Sequence, residues 1–375
     1  MPSNYSVTLI QNKKAFKDLK SEWNELLAQS DSDTIFLTWE WLYTWWSVYK
    51  ANYRLFLLTI RDEDNKLIAI GPFKIALRKA LPGFLRHAIV EFIGDAEDVI
   101  PEYLDVIIHC GCEKVASRII ADYLLNSNHI DLVNLKPIRS SSIFSKILKE
   151  RFANYRFPTV DQIYSKCPVA HLPDTWNEFL LSRSRNFRKK SKEYLRVCKR
   201  DLDFHMLSTT SRDQLPSSMR DLAALHRKRW KDTGKSKSFK SNQYTKFHSM
   251  IAHRFLDNGW LRLMFLLDEE TPIAAIYCFL YGHQYYFYQS GRNTAYDKYR
   301  VGFVLMNMAI RRAISEKAVL FDFLTGEEEY KYRWADDVRI SRQFLGCKGA
   351  YAYFCSSLNK IPGLIKRHLF QLRTL

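Results

Sequence analysis

Residues 321–334 read Phe321-Asp-Phe-Leu-Thr-Gly-Glu-Glu-Glu-Tyr-Lys-Tyr-Arg-Trp334. A short apolar run with one embedded acid, Asp322, ends at Gly326. Three glutamates follow, then Tyr330, Lys331, Arg333 and Trp334. A strand that stops at a glycine and delivers acids, a lysine and aromatics to its C-terminal end is one way to build a site. Taken alone, the same pattern also fits a strand followed by a solvated charged loop. The preceding residues weigh on that choice. Tyr277 to Tyr288 holds two aromatic-rich runs around Gly282 and predicts a β-hairpin. After Ser290-Gly-Arg-Asn and a polar segment, Val301-Gly302 opens a run from Phe303 to Lys317. There Phe303, Met306, Ile310, Ala313 and Ile314 recur at helical spacing, with Arg311 and Arg312 off the stripe. The order is hairpin, glycine-led helix, strand, then an acid- and lysine-bearing loop. The N-terminus of such a helix presents unpaired N–H groups and suits a pyrophosphate.

From about Trp176 to Phe344 the chain resembles the CelD-like acetyltransferases, a branch of the GNAT acyltransferase superfamily that is itself similar to the Fem-type aminoacyl transferases. The matching pieces are Ser182-Arg-Ser-Arg-Asn-Phe-Arg-Lys-Lys190, Leu225-His-Arg-Lys-Arg-Trp230, Asn258-Gly-Trp-Leu-Arg-Leu263 and Ile273-Ala-Ala275. The hairpin, the Gly302 helix and the Asp322-to-Trp334 stretch complete the set in collinear order. The family usually has Ser-Pro-Gly at the helix start, where this chain has Arg300-Val301-Gly302. The glycine is kept, whereas a serine cap and a proline's fixed φ are missing. The resemblance implies tandem GNAT-like α/β (α+β) units, each a mixed, mainly antiparallel twisted sheet flanked by helices. It implies acetyl-CoA or another acyl-CoA as co-substrate, with Arg300, Val301, Gly302 and Phe303 at its binding site.

An internal echo points the same way. Leu55 to Ile70 lies on Leu261 to Ile276 without a gap, with Asp62 on Asp268 and Glu63 on Glu269, and each copy reads as strand, acidic turn, strand. The first half continues with strands around Ala88–Ile93 and Tyr103–Ile108, a helix near Glu113–Leu125 and the strand Ile130–Leu135. The second continues with the 303–317 helix and the strand Val319–Leu324. The expected organisation is a non-catalytic unit at 1–153, a connector at 154–173, a catalytic unit at 174–350 and a basic tail at 351–375. Trp39, Trp41, Trp45 and Trp46 mark a buried aromatic helix in the first unit, which supports the core or shapes the acceptor cleft.

The net charge of +17 is concentrated in two blocks. Residues 181–200 hold nine Lys and Arg against Glu193, and residues 227–240 hold seven against Asp232. A pair of such blocks fits an anionic partner: acyl-CoA, a lipid- or nucleotide-linked sugar, a membrane surface or tRNA. No apolar run approaches the roughly 20 residues of a membrane span. Met1 to Gln11 has no basic segment leading into an apolar one, so a cytoplasmic location is expected, with contact at the inner face of the membrane as a variant. Seven scattered cysteines read as reduced core thiols, and no metal is expected.

Acyl transfer from a thioester requires a held donor, a deprotonated acceptor and a stabilised oxyanion. No Gly-x-Ser-x-Gly elbow signals a covalent nucleophile. Glu327, directly after the glycine, is the expected base. Asp322 reads either as a second catalytic acid or as a buried structural one. Lys331 reads as a group for substrate phosphate or developing charge, or as a salt-bridge partner. Tyr330 reads as a proton donor to the leaving thiolate, or as packing. Arg183, Arg185, Asn186 and Arg188 resemble the acceptor-side motif of the Fem-type relatives, and also read as a capped, solvated helix start. Arg229 and Arg333 complete the substrate-binding set. The expected acceptor is a small molecule or glycan, and the function an N- or O-acyl transfer to a sugar, polysaccharide or cell-envelope precursor. The alternatives are a Fem-like transferase using aminoacyl-tRNA, and a binding module that keeps the fold without turnover.

Overall fold

The computed structural model describes residues 5–80, 85–96, 98–230, 238–326 and 328–348. The expected base Glu327 and the 351–375 tail lie outside the described residues. The chain divides into two units, one built from residues 1–96, 100–164 and 340–375, the other from 97–99 and 165–339. The first half of the chain forms β1 (Ser6–Ile10), α1 (Lys13–Asp18), α2 (Lys20–Ala28), α3 (Trp39–Tyr49), β2 (Tyr53–Arg61), β3 (Leu67–Ala80), β4 (Leu85–Phe92), β5 (Ile107–Ile108), α4 (Glu113–Asn126), β6 (Leu132–Arg139), α5 (Ile143–Asn154) and β7 (Thr159–His171). The second forms α6 (Trp176–Leu181), α7 (Arg185–Asp201), β8 (Phe204–Ser208), α8 (Leu215–Trp230), α9 (Asn242–Asp257), β9 (Leu261–Asp268), β10 (Thr271–Tyr281), β11 (Gln284–Arg292), α10 (Val301–Ser315), β12 (Leu320–Asp322), α11 (Glu329–Tyr332) and β13 (Asp337–Cys347).

In the first unit β1, β2, β3 and β4 pair antiparallel in turn. The parallel pair β4–β6 follows, and residues of β13 then pair antiparallel with β6. A parallel neighbour cannot be reached by a tight turn, and α4 lies in the connection from β4 to β6. The second unit repeats these steps. Strands β8, β9, β10 and β11 pair antiparallel, β11 and β12 pair parallel around the α10 crossover, and the end of β7 closes the order against β12. Each unit is therefore a mixed, mainly antiparallel sheet with helices, as the sequence pattern implies.

The aromatic helix is α3, started by Thr38, whose hydroxyl accepts the Trp41 N–H at 3.3 Å. Trp39, Trp41, Trp45 and Trp46 are all buried, and Glu40 is buried among them, taking a hydrogen bond from Asn24 at 3.0 Å. In α10 the buried face comprises Val301, Val304, Leu305, Met306, Ala309, Ile310, Ala313 and Ile314. This is a wider stripe than the sequence spacing marks, and the helix starts two residues earlier. The expected connector at 154–173 is mostly strand: its residues form β7, and Val169, Ala170 and His171 pair with Asp322, Phe321 and Leu320. Cys167, Pro168 and Pro173 look like loop residues, yet Cys167 and Val169 are fully buried, and burial overrides the local signal. The expected strand at Tyr103–Ile108 is only the two residues of β5.

Helix α8 lies directly on β11 at Gly291. A Cβ there would stand 2.4 Å from the His226 backbone nitrogen and 2.5 Å from the Leu225 carbonyl carbon. Only a residue without a side chain allows this approach. Gly291→Ala is expected to destabilise the protein by about 1–3 kcal/mol, read from urea unfolding, because backbone rather than a flexible side chain has to move. An unchanged midpoint would show that α8 yields freely.

Candidate active site

The site begins with a strand that stops early. Strand β12 pairs with β11 over three residues only, Leu320 to Asp322 against Gln284 to Tyr286. The Asp322 side chain, fully buried, accepts the Leu324 N–H at 2.8 Å, and Leu324 takes a φ of 53°. That local bond turns the chain out of the sheet. Strand β11 continues to Arg292, so Phe287–Arg292 runs past its partner.

Beyond β11, Asn293 caps a 3-10 turn, Thr294–Tyr299, by accepting the Ala295 N–H at 3.3 Å. Arg300 then adopts the left-handed conformation, φ 56° and ψ 37°, and α10 starts from it. No side chain caps this helix start. Its first N–H groups carry the positive end of a 15-residue helix. Asp297 receives both Arg292 nitrogens, at 2.6 and 3.1 Å.

A cavity of about 1060 Å³ in the second unit opens between these segments. Its walls are Arg183, Asn186, Lys190 and Tyr194 on the α7 side, Ser290–Arg292 at the end of β11, Arg300–Phe303 at the start of α10, and Tyr330, Tyr332, Arg333 and Asp336. Its apolar floor includes Ala275, Ile276, Phe287, Leu305, Met306 and Trp334. The Trp334 ring meets Phe303 at 4.7 Å and the edge of Phe187 at 4.8 Å, which ties the α11 region to α7 and α10.

The lining is basic. It contains Arg183, Lys190, Arg229, Arg292, Arg300 and Arg333, and its carboxylates are Asp297 and Asp336. Both carboxylates are engaged by arginines. Asp336 accepts from Arg183 at 2.7 Å and from His171 at 2.8 Å. Burial works against its charged form, but these hydrogen bonds outweigh that and hold its pKa below the usual carboxylate value. Arg183 is buried, with its guanidinium 4.5 Å from the Phe179 ring centre. Arg229 bonds Ser290 and lies 5.6 Å from the Tyr330 ring centre.

Of the residues named from sequence, Arg183, Asn186, Arg229, Arg300, Val301, Gly302, Phe303, Tyr330 and Arg333 line this cavity. Arg185 is exposed on α7 and does not line it. Arg188 donates instead to the Leu181 and Arg183 carbonyls, at 3.2 and 2.6 Å, and so fixes the link from α6 to α7. Asp322 is engaged by the Leu324 N–H, with Arg339 as its nearby cation at 3.7 Å. Of the two readings of Lys331, its setting matches the salt-bridge one, buried rather than at the surface. Its side chain is buried, its ammonium donates to the Thr325 carbonyl at 2.6 Å, and Glu328 pairs with it at 3.2 Å. Lys331 thereby fastens α11 to Thr325 and Glu328.

The sequence reading missed Lys190, Tyr194, Ser290, Arg292, Asp297, Tyr332 and Asp336. Asn186, Lys190 and Tyr194 recur every fourth residue, a spacing that could have marked one face of α7. Asp336 carried no local signal, because its partners His171 and Arg183 are more than 150 residues away in sequence. Among the described residues no group of three His, Cys, Asp or Glu side chains is arranged to hold a metal ion, and no helix is long and apolar enough to cross a membrane.

With this geometry in view, comparison with known proteins is informative. Residues 182–332, which include most of the cavity lining, match the acetyltransferase (GNAT) domain family model. The matched segment lies within the second unit. No curated protein matches the chain by sequence. Among solved structures, FemX resembles it with a TM-score of 0.59 at 7% identity, covering 90% of this chain and 96% of FemX. A conserved protein from Bacteroides thetaiotaomicron gives 0.55 at 10% identity, over 92% and 100% of the two chains. The C-terminal domain of a putative lysylphosphatidylglycerol synthetase from Agrobacterium fabrum gives 0.52 at 8% identity, over 93% and 97%. At such identities the likeness is one of fold.

The setting of Lys331 makes it a positioning residue. Lys331→Met should lower stability by roughly 1–3 kcal/mol, since a buried carbonyl loses its donor and Glu328 its partner. Thermal unfolding with the wild type alongside measures it, and an unchanged midpoint would return Lys331 to the list of groups free to meet substrate.

Proposed function

We propose that the second unit moves an acyl group from acyl-CoA to an amine or hydroxyl of a sugar, polysaccharide or cell-envelope precursor, as a CelD-like acetyltransferase. The observation that carries this reading is the uncapped start of α10 in the wall of a basic cavity. The residues fit a pyrophosphate-bearing co-substrate: Val301 and Gly302 offer backbone N–H groups, Arg300 and Lys190 offer cations, and Gly302 keeps its side free of atoms. When bound, acyl-CoA supplies an activated carbonyl whose C–S bond breaks as the bond to the acceptor forms.

The protein's own residues then have three tasks. Arg300 and the α10 start hold the donor phosphates and fix the thioester along the edge of β11 that extends past β12. Tyr330, on the cavity wall beside Arg229, delivers a proton to the leaving sulfur. The acceptor's proton goes to Glu327, because Asp297 and Asp336 are both held by arginines and poorly suited to accept it. Arg183, Asn186, Arg229 and Arg333 orient the acceptor. Asp322 shapes the strand end and does no chemistry.

CoA should raise the thermal midpoint of the wild type. Gly302→Asp should abolish that protection by setting a carboxylate against the phosphates. Gly302→Ala should keep it, since the nearest atom to an added Cβ is 3.7 Å away. Tight CoA binding by a folded Gly302→Asp protein at moderate salt would mean that the phosphates lie elsewhere.

With acetyl-CoA and amino-sugar or glycan acceptors, Glu327→Gln should lower turnover on the order of 100- to 10,000-fold with little change in unfolding temperature. Turnover close to wild type would remove Glu327 from the reaction.

A further inference from the structure

Helix α7 carries a charge pattern that the acyl-transfer site does not use. Arg185, Lys189, Lys192, Arg196 and Lys199 follow one another at intervals of four, three, four and three residues, so they form a single row along one face. All five are exposed. None of them has an ion-pair or hydrogen-bond partner among the described residues.

Several other arginines in this unit are matched by acids. Arg212 pairs with Asp257, Arg262 and Arg312 with Glu316, and Arg292 with Asp297. The α7 row instead places like charges at successive helical neighbour positions, where they repel. Glu193, exposed between Lys189 and Arg196, is the one carboxylate within a row of five cations, which leaves most of the charge for an external partner to match.

The row also has a direction. Asn186, Lys190 and Tyr194 face the cavity, and each turn of α7 therefore presents cavity wall and cationic row side by side. The row is about 21 Å long at 1.5 Å per residue. Its shape suits a linear polymer carrying anionic groups along its length. The aromatics of α7 do not serve as stacking platforms for bases: Phe187 is buried and Tyr194 packs edge-on against Phe303 at 5.3 Å. The outer face offers no apolar side chain for insertion into a bilayer.

We propose that this face of α7 docks an acidic polysaccharide, and that the acceptor is a sugar of that polymer presented to the cavity beside it. The acceptor role rests on the acyl-transfer reading, whereas the docking itself does not.

The test uses the full chain and labelled alginate oligomers, which carry one carboxylate per sugar, with neutral dextran oligomers as control. Alginate should bind, weaken as salt rises and bind far more tightly than dextran. Replacing the five row residues by Gln should weaken alginate binding by about tenfold or more. The pair Lys189→Gln and Arg196→Gln should give a smaller loss and guards against misfolding of the full set. CoA protection should be unchanged in both variants, so a failed docking surface and a failed donor site give different results. The proposal is overturned if either folded variant binds alginate as the wild type does. It is equally overturned if oligo-dT or phosphatidylglycerol vesicles bind more tightly than alginate through the same residues.

Discussion

One hydrogen bond decides where the second sheet opens. The buried carboxylate of Asp322 takes the N–H of Leu324 two residues on, and a backbone group that would have extended the parallel ladder is spent locally. Strand β12 ends, and β11 goes on paired with β10 only, its last residues Ser290–Arg292 forming one wall of the cavity. The acid therefore shapes the site from outside the cavity wall. Further along, Lys331 fastens α11 to the Thr325 carbonyl and Trp334 reaches Phe303 and Phe187.

The electrostatics of the unit separate into two kinds of cation. Some are consumed by structure: Arg183 on Asp336, Arg292 on Asp297, Arg188 on two carbonyls, Lys331 on Glu328 and the Thr325 carbonyl. Others, among them Arg185, Lys189, Lys192, Arg196 and Lys199 of α7, have no such partner among the described residues. Exposed pairs contribute at most about 1 kcal/mol each, so matched arginines elsewhere on the surface add little to stability. A ligand with several phosphates or carboxylates meets several unmatched cations at once.

The sequence was most legible where one periodicity ran unbroken. The α10 stripe, the 277–288 hairpin and the tryptophan helix were all visible because their residues repeat at spacings only one element satisfies. The Leu55–Ile70 and Leu261–Ile276 echo corresponds to two antiparallel hairpins, β2–β3 and β9–β10. Legibility failed where partners are distant in the chain. Strand β7 looks like a connector because its prolines and polar residues dominate the local signal, whereas its pairing partner β12 lies about 150 residues away. Lys331 read equally as a substrate group or a salt-bridge partner, because nothing in the sequence shows that its ammonium is already bonded. Arg300, by contrast, could be singled out for its neighbours, although its left-handed backbone could not.

The change of unit inside β7 and again inside β13 has a consequence for how the chain matures. Residues 341–347 complete the first unit by pairing with β6, and Gly346 there packs against Phe152. They are synthesised only after every residue of the second unit has been added to the chain. Until then β6 has an open edge, and the emerging half-protein exposes the kind of backbone that attracts strands from other chains. Domain-wise folding in order of synthesis is thus closed to this architecture, and truncation at the apparent end of the second unit would leave the first one unfinished.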